Sequence, residues 1–161
     1  MKTTVIIILT LLFSTPFVDE VNADKTKGTD IKIAENLIEA IKDIDIVSMN
    51  VHLAEGADVD TVDQAGNTPL MLASKIGNPR MVRILLAHYP ELNNKNKQGY
   101  TALMIASENG QHFIAEQLIS KCADIHATNN KGLNALELAT RNGHPSIIEL
   151  FKGKTELPMS R

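Results

Sequence analysis

Residues 66–73 read GNTPLMLA, and the pattern returns as GYTALMIA at 99–106 and GLNALELA at 132–139. The step is 33 residues each time. It carries Gly66 to Gly99 and Gly132, Thr68 to Thr101 and Asn134, and Ala73 to Ala106 and Ala139. It also carries Leu70 to Leu103 and Leu136, Gly77 to Gly110 and Gly143, and Leu85 to Leu118 and Phe151. A fixed period of this length marks a stack of like supersecondary units.

The unit has a physical reading. Asp63-Gln64-Ala65-Gly66 is turn chemistry, with glycine where the backbone needs a positive φ. Thr68 then caps a helix through its hydroxyl, and Pro69 takes the first helical position, where a missing N–H costs nothing. Thr101-Ala102 and Asn134-Ala135 repeat the cap without the proline. Leu70 and Ala73, three apart, share one face of this inner helix, and Gly77 ends it. Asn78-Pro79 opens a second, outer helix, as His144-Pro145 does later. That helix turns Met81, Val82, Leu85 and Leu86 to the core. Ile114, Ala115, Leu118 and Ile119 follow in the next unit, then Ile147, Ile148 and Phe151.

These residues resemble the ankyrin repeat over about residues 33–153. Gly66 to Ala73 closely follows the family's G-x-T-P-L-H-x-A. Gly56-Ala57-Asp58-Val59-Asp60 follows its G-A-D-V-N, echoed by Cys122-Ala123-Asp124-Ile125-His126. The departure is at the family's histidine, here Met71, Met104 and Glu137. That ring bonds neighbouring loops in the family, so its loss implies a less rigid loop stack. The fold expected is an all-α ankyrin-repeat solenoid of four helix-turn-helix units. Residues 33–62 form an N-terminal cap unit, where Ile38, Ile41, Met49, Val51 and Leu53 match helix positions without a preceding finger turn. Residues 63–95 and 96–128 are full repeats, 129–153 close the stack, and 154–161 are a polar tail.

The first 23 residues read differently. Lys2, the apolar run VIIILTLLF at 5–13 and Val21-Asn22-Ala23 are the three parts of a secretory signal peptide, with cleavage expected before Asp24. A membrane anchor needs about 20 apolar residues, and Pro16, Asp19 and Glu20 interrupt this run well short of that. The residue directly after the cleavage point is Asp24 and not a cysteine, which argues against a lipid anchor. Residues 24–32 form a polar lead-in. One cysteine, Cys122, permits no intrachain disulfide, and there is no Asn-x-Ser/Thr sequon. Together with export, these point to a bacterial periplasm, with secretion as the alternative.

Of 161 residues, 43% are apolar, 22% charged and only 4% aromatic, which suits a core of stacked aliphatic helices. Net charge is −3. Without residues 1–23, 15 basic residues face 17 acidic ones, a balance with no long-range pull on nucleic acid or anionic lipid. A monomer is expected, with no membrane association after cleavage.

Catalysis needs a nucleophile, base or metal set converging on one pocket, and no such set is legible. Of His52, His88, His112, His126 and His144, no two stand at i, i+3 or i, i+4. The glycines follow the repeat, so they form no phosphate-binding loop. Cys122 and His126 fall in the loop after an outer helix and read as an exposed thiol and a turn residue. A metal or haem pair and an intermolecular disulfide are the alternatives. His52 stands where later units place Leu85, Leu118 and Phe151. It reads as a partly wet histidine at the stack's end, with a pH-sensitive or ligand-binding role as the alternative. No cofactor is implied.

Ankyrin proteins bind partners with finger tips and the exposed side of the inner helices. Carried over by position, the resemblance implies that Gln64, Ala65, Asn67, Lys75 and Ile76 face a partner in the first full repeat. Lys97, Gln98, Tyr100, Glu108 and Asn109 do so in the second, and Asn130, Lys131, Leu133, Arg141 and Asn142 in the closing unit. Tyr100 reads as an anchor outside the core, with Leu133 equivalent one repeat on and Met71 and Met104 alongside. The function implied is non-catalytic protein binding, whether inhibiting, protecting or assembling an exported protein. The competing reading is haem or metal handling through His52, His88 or Cys122.

Overall fold

The computed structural model describes residues 36–152. The leader at 1–23, the lead-in at 24–32, the first residues of the cap unit and the tail at 154–161 lie outside them. Among the described residues all regular structure is helical, in eight helices with no strand. Residues 36–42 form α1. The rest are α2 (Ile46–Ala54), α3 (Pro69–Ile76), α4 (Pro79–Ala87), α5 (Ala102–Glu108), α6 (His112–Ser120), α7 (Ala135–Arg141) and α8 (Pro145–Lys152). Helices α3, α5 and α7 pack side by side as an inner layer, and α4, α6 and α8 as an outer one.

Local chemistry sets the helix boundaries. The hydroxyls of Thr68 and Thr101 each accept the N–H three residues on, from Met71 and Met104 at 3.3 Å. Asn134 caps α7 in the same way, accepting from Glu137 N at 2.9 Å. Pro69 and Pro79 open α3 and α4, and Gly77 ends α3 with φ 80°. In the first unit the position of Gly77 is held by Ile44, with φ 59° and its side chain exposed. A β-branched residue there carries local strain.

Aliphatic side chains spaced by the repeat fill the space between the layers, and the expected core residues Leu70, Ala73, Met81, Val82, Leu85, Leu103, Ala106, Ile114 and Leu118 are all buried. Three assignments change. Val51 is exposed, and Leu37 and Ala40, in register with Leu70 and Ala73, complete the core of the cap unit beside Ile38, Ile41, Met49 and Leu53. Ile148 and Leu136 are only half-buried, since no further described repeat packs on them.

Successive turns interlock. Lys97 N–H donates to Ala65 O and Asn130 N–H to Gln98 O, both at 3.1 Å. The Asn130 side chain donates to Lys97 O at 3.0 Å and Lys95 Nζ to Thr128 O at 2.7 Å. Backbone, amide and lysine ammonium groups thus supply the loop-to-loop bonds where the family's histidine is absent.

Candidate functional site

Finger turns and inner helices form one face of the stack. Each finger is shaped by the first residue of its turn. Asp63 Oδ1 accepts from Ala65 N and Asn67 N, both at 2.8 Å. Asn96 Oδ1 takes Gln98 N and Tyr100 N, and Asn129 Oδ1 takes Lys131 N and Leu133 N. One acceptor holding two N–H groups two and four residues on fixes the finger geometry without glycine everywhere. Partial burial pushes the Asp63 carboxyl up, but the bonds from Asn67 and Ala65, with Lys42 nearby, outweigh it and hold its pKa below the ordinary value.

Between the first two full repeats this face opens into a groove of about 470 Å³. The structure brings together here Ala65, Asn67, Lys75, Lys97, Gln98, Tyr100, Glu108 and Asn109, all named from the sequence, and adds Asn96 and Ile105. Asn96 is the first residue of its finger turn, in register with Asp63. Ile105 lies three residues before Glu108, so helical spacing could have placed it on the same face. Gln64, Ile76, Asn130, Lys131, Leu133, Arg141 and Asn142 lie outside the groove; none is buried, and Ile76 and Leu133 rest against the core.

Two details of the anchor need correction. Met71 and Met104 are each only 1% exposed, so they sit beneath the face and present no surface to a partner. Met71 is turned inward far enough for its sulfur to take the Thr68 N–H at 3.5 Å. Tyr100 is half-buried and packed on the core, not free of it. Its hydroxyl donates to Glu108 Oε1 at 3.1 Å. Burial first, then that bond and the carboxylate's charge, raise the tyrosine's pKa above the ordinary value.

The neighbouring Asn129 is 5% exposed, and its Nδ2 makes no hydrogen bond. One repeat earlier the same atom, Asn96 Nδ2, donates to Asn67 Oδ1 at 2.8 Å. Tyr100 replaces Asn67 in register and removes that acceptor. Asn129 lies close enough to the phenol to oppose its pKa shift, but outside bonding geometry.

Elsewhere the side chains are dispersed. His52 is half-buried at the core position of its unit, with Nδ1 3.3 Å from Glu55 Oε2. His112 Nδ1 lies 3.1 Å from Ser146 O, and His144 Nε2 lies 2.9 Å from Glu108 O at the end of α5. His88 and Cys122 are exposed in separate loops, Cys122 with φ 65°. Among the described residues no three His, Cys, Asp or Glu side chains are placed to share a metal ion, so the residues of the haem or metal reading are not brought together. No described helix is long and apolar enough to cross a membrane.

Stacked helix pairs joined by short turns, with fingers projecting along one side, define an α-solenoid repeat protein. The family model for ankyrin repeats (3 copies) matches residues 34–129 and 90–157, and the chain belongs to the ankyrin-repeat family. No curated protein matches it. Ankyrin repeats generally mediate binding to other proteins, and proteins built from them are typically non-catalytic interaction modules.

Proposed function

We propose that this chain is an exported, non-catalytic binding protein that docks another protein on its finger and inner-helix face. The observation that carries the reading is the groove at Lys75, Lys97, Gln98 and Tyr100, a concave site where exposed polar side chains surround a ring that rests on the core. It combines a partly buried aromatic with amide and basic groups, a composition typical of protein interfaces. The leader of Lys2, residues 5–13 and Val21-x-Ala23 supports export to a periplasm, with the mature chain starting at Asp24 and acting as a monomer.

A photo-crosslinking residue at Gln98, compared with one at Glu116 on the outer layer, tests the face in the producing cell. Adducts from Gln98 alone support the reading, and adducts from Glu116 alone move binding to the outer helices. N-terminal sequencing of the recovered protein tests export. Met1 retained in soluble cytosol would remove the periplasmic assignment.

A further inference from the structure

The groove is unbalanced in its charged groups. Three of its side-chain acceptors are in use: Asn67 Oδ1 takes Asn96 Nδ2, Asn96 Oδ1 takes two backbone N–H groups, and Glu108 Oε1 takes the Tyr100 hydroxyl. Its cations are not. Among the described residues, the Lys75 and Lys97 side chains have no hydrogen bond or ion pair. Lys131 and Arg141 extend the same face beyond the groove, exposed and likewise unpaired. Among the groove's lining residues Lys75 and Lys97 face one carboxylate, Glu108, which accepts the Tyr100 hydroxyl; on the neighbouring fingers and inner helices Asp63 and Glu137 already accept backbone N–H groups. The groove lining, with Lys75, Lys97 and Glu108, thus carries a net positive charge in a chain whose overall charge is −3.

Resting on the docking face proposed above, we infer that the partner presents a short acidic segment, and that its Asp or Glu carboxylates are received by Lys75 and Lys97. Two cations without a partner in one groove select a ligand that brings negatively charged acceptors. Ile105 and the Tyr100 ring supply the apolar floor that a peptide's backbone and side-chain stems need. A nucleic acid fits less well. It is held by counterion release over many phosphates, and a net-negative protein with two cations in the groove opposes so dense a polyanion.

The probe is a fluorescein-labelled octapeptide of alternating Glu and Gly, titrated with the purified protein by anisotropy in low salt. Its Gln-Gly counterpart and a twelve-nucleotide oligothymidine run beside it. The charge-matched control uses Arg83 and Lys121, which line a second groove on the outer layer between α4 and α6. The Glu peptide should bind and the Gln peptide should not. Lys75→Gln with Lys97→Gln should weaken binding at least about tenfold, and raising the salt should weaken it further. Arg83→Gln with Lys121→Gln should leave it unchanged. Equal loss in the two double variants, or tighter binding of the oligonucleotide, overturns the inference. Absence of any peptide binding overturns it too, yet leaves the docking face standing if the Gln98 crosslink forms. Failure of both removes the face itself.

Discussion

Gly99 and Gly132 occupy equivalent positions in neighbouring fingers, with φ 81° and 74°, and alanine at each separates backbone strain from finger stacking. A left-handed backbone costs a non-glycine residue about 1–2 kcal/mol. At Gly132 an added Cβ would meet nothing within 4 Å, so Gly132→Ala should cost about that much and no more. At Gly99 the same atom would fall 2.5 Å from Asn130 Oδ1 and 2.7 Å from Asn130 N. The side chain can rotate away, but the backbone nitrogen cannot retreat without stretching its 3.1 Å bond to Gln98 O. The Asn130 side-chain bond to Lys97 O goes with it. Two bonds at about 0.5–1.5 kcal/mol each bring the cost of Gly99→Ala to about 3 kcal/mol. Urea unfolding of both variants, read as midpoints at constant m, measures the difference. Equal destabilisation would mean that the fingers do not interlock, and the geometry of the proposed face would lose its basis.

Three further outcomes follow from the packing. Leu118, fully buried in α6, should cost about 2–5 kcal/mol as Leu118→Ala, and the whole stack should melt earlier as one unit; an unchanged melting temperature would show the register to be wrong. Ile44→Gly relieves a left-handed, half-exposed β-branched residue and should raise stability by up to about 1 kcal/mol in the same urea assay, with a fall arguing that the side chain does essential packing. Asp63 has a lowered folded pKa, so its stabilisation is present above the unfolded carboxylate value and is lost as pH falls through the folded value, below about pH 4. Asp63→Asn, which copies Asn96 and Asn129 but loses the Oδ2 acceptor of Asn67 Nδ2, should give up the carboxylate's share of stability at pH 7 and flatten that acid limb; an unchanged acid limb would show that another carboxylate governs it.

Most of the fold was legible because it is written several times over. The 33-residue step set the finger turns, the caps and the core positions together, and one register error would have broken them all. The misreadings fall where the repeat loses a neighbour or a ring gains one. Val51 sits in the cap unit and Ile148 in the closing unit, so the pattern assigned them to a core with no described repeat to cover them. Met71 and Met104 follow an anchor position in sequence but turn inward from the first helical turn, which spacing along the chain does not reveal. The groove's membership was legible from register, whereas which of its polar groups already have partners was not. That depends on which amides bond one another between fingers, a fact of three-dimensional stacking.

Tyr100 is the position where the requirements of fold and of binding can be separated. The preceding finger shows what the fold alone would choose: Asn67 accepts from Asn96 Nδ2, closing an amide pair between repeats. Tyrosine in the next register position leaves Asn129 Nδ2 buried without a partner, and such an orphan costs about 1–3 kcal/mol. The ring's burial and the Glu108 bond offset part of this, so truncation to alanine is not the clean test. Tyr100→Asn restores the amide pair, and it should be more stable than Tyr100→Ala by about 1–3 kcal/mol, the cost of the orphan it removes. If the ring is an anchor, both variants should lose binding to the natural partner alike, by at least about 30-fold, because anchors near an interface centre often contribute 2 kcal/mol or more. Tyr100→Phe keeps the ring and releases Glu108, so it should retain most of the affinity. Glu116→Ala on the outer layer should change nothing. Titration calorimetry against the crosslinked partner, set beside urea unfolding of each variant, decides the matter. Affinity that rises and falls with stability across Ala, Asn and Phe would reduce Tyr100 to a structural residue, and full affinity in Tyr100→Asn would remove the aromatic anchor altogether.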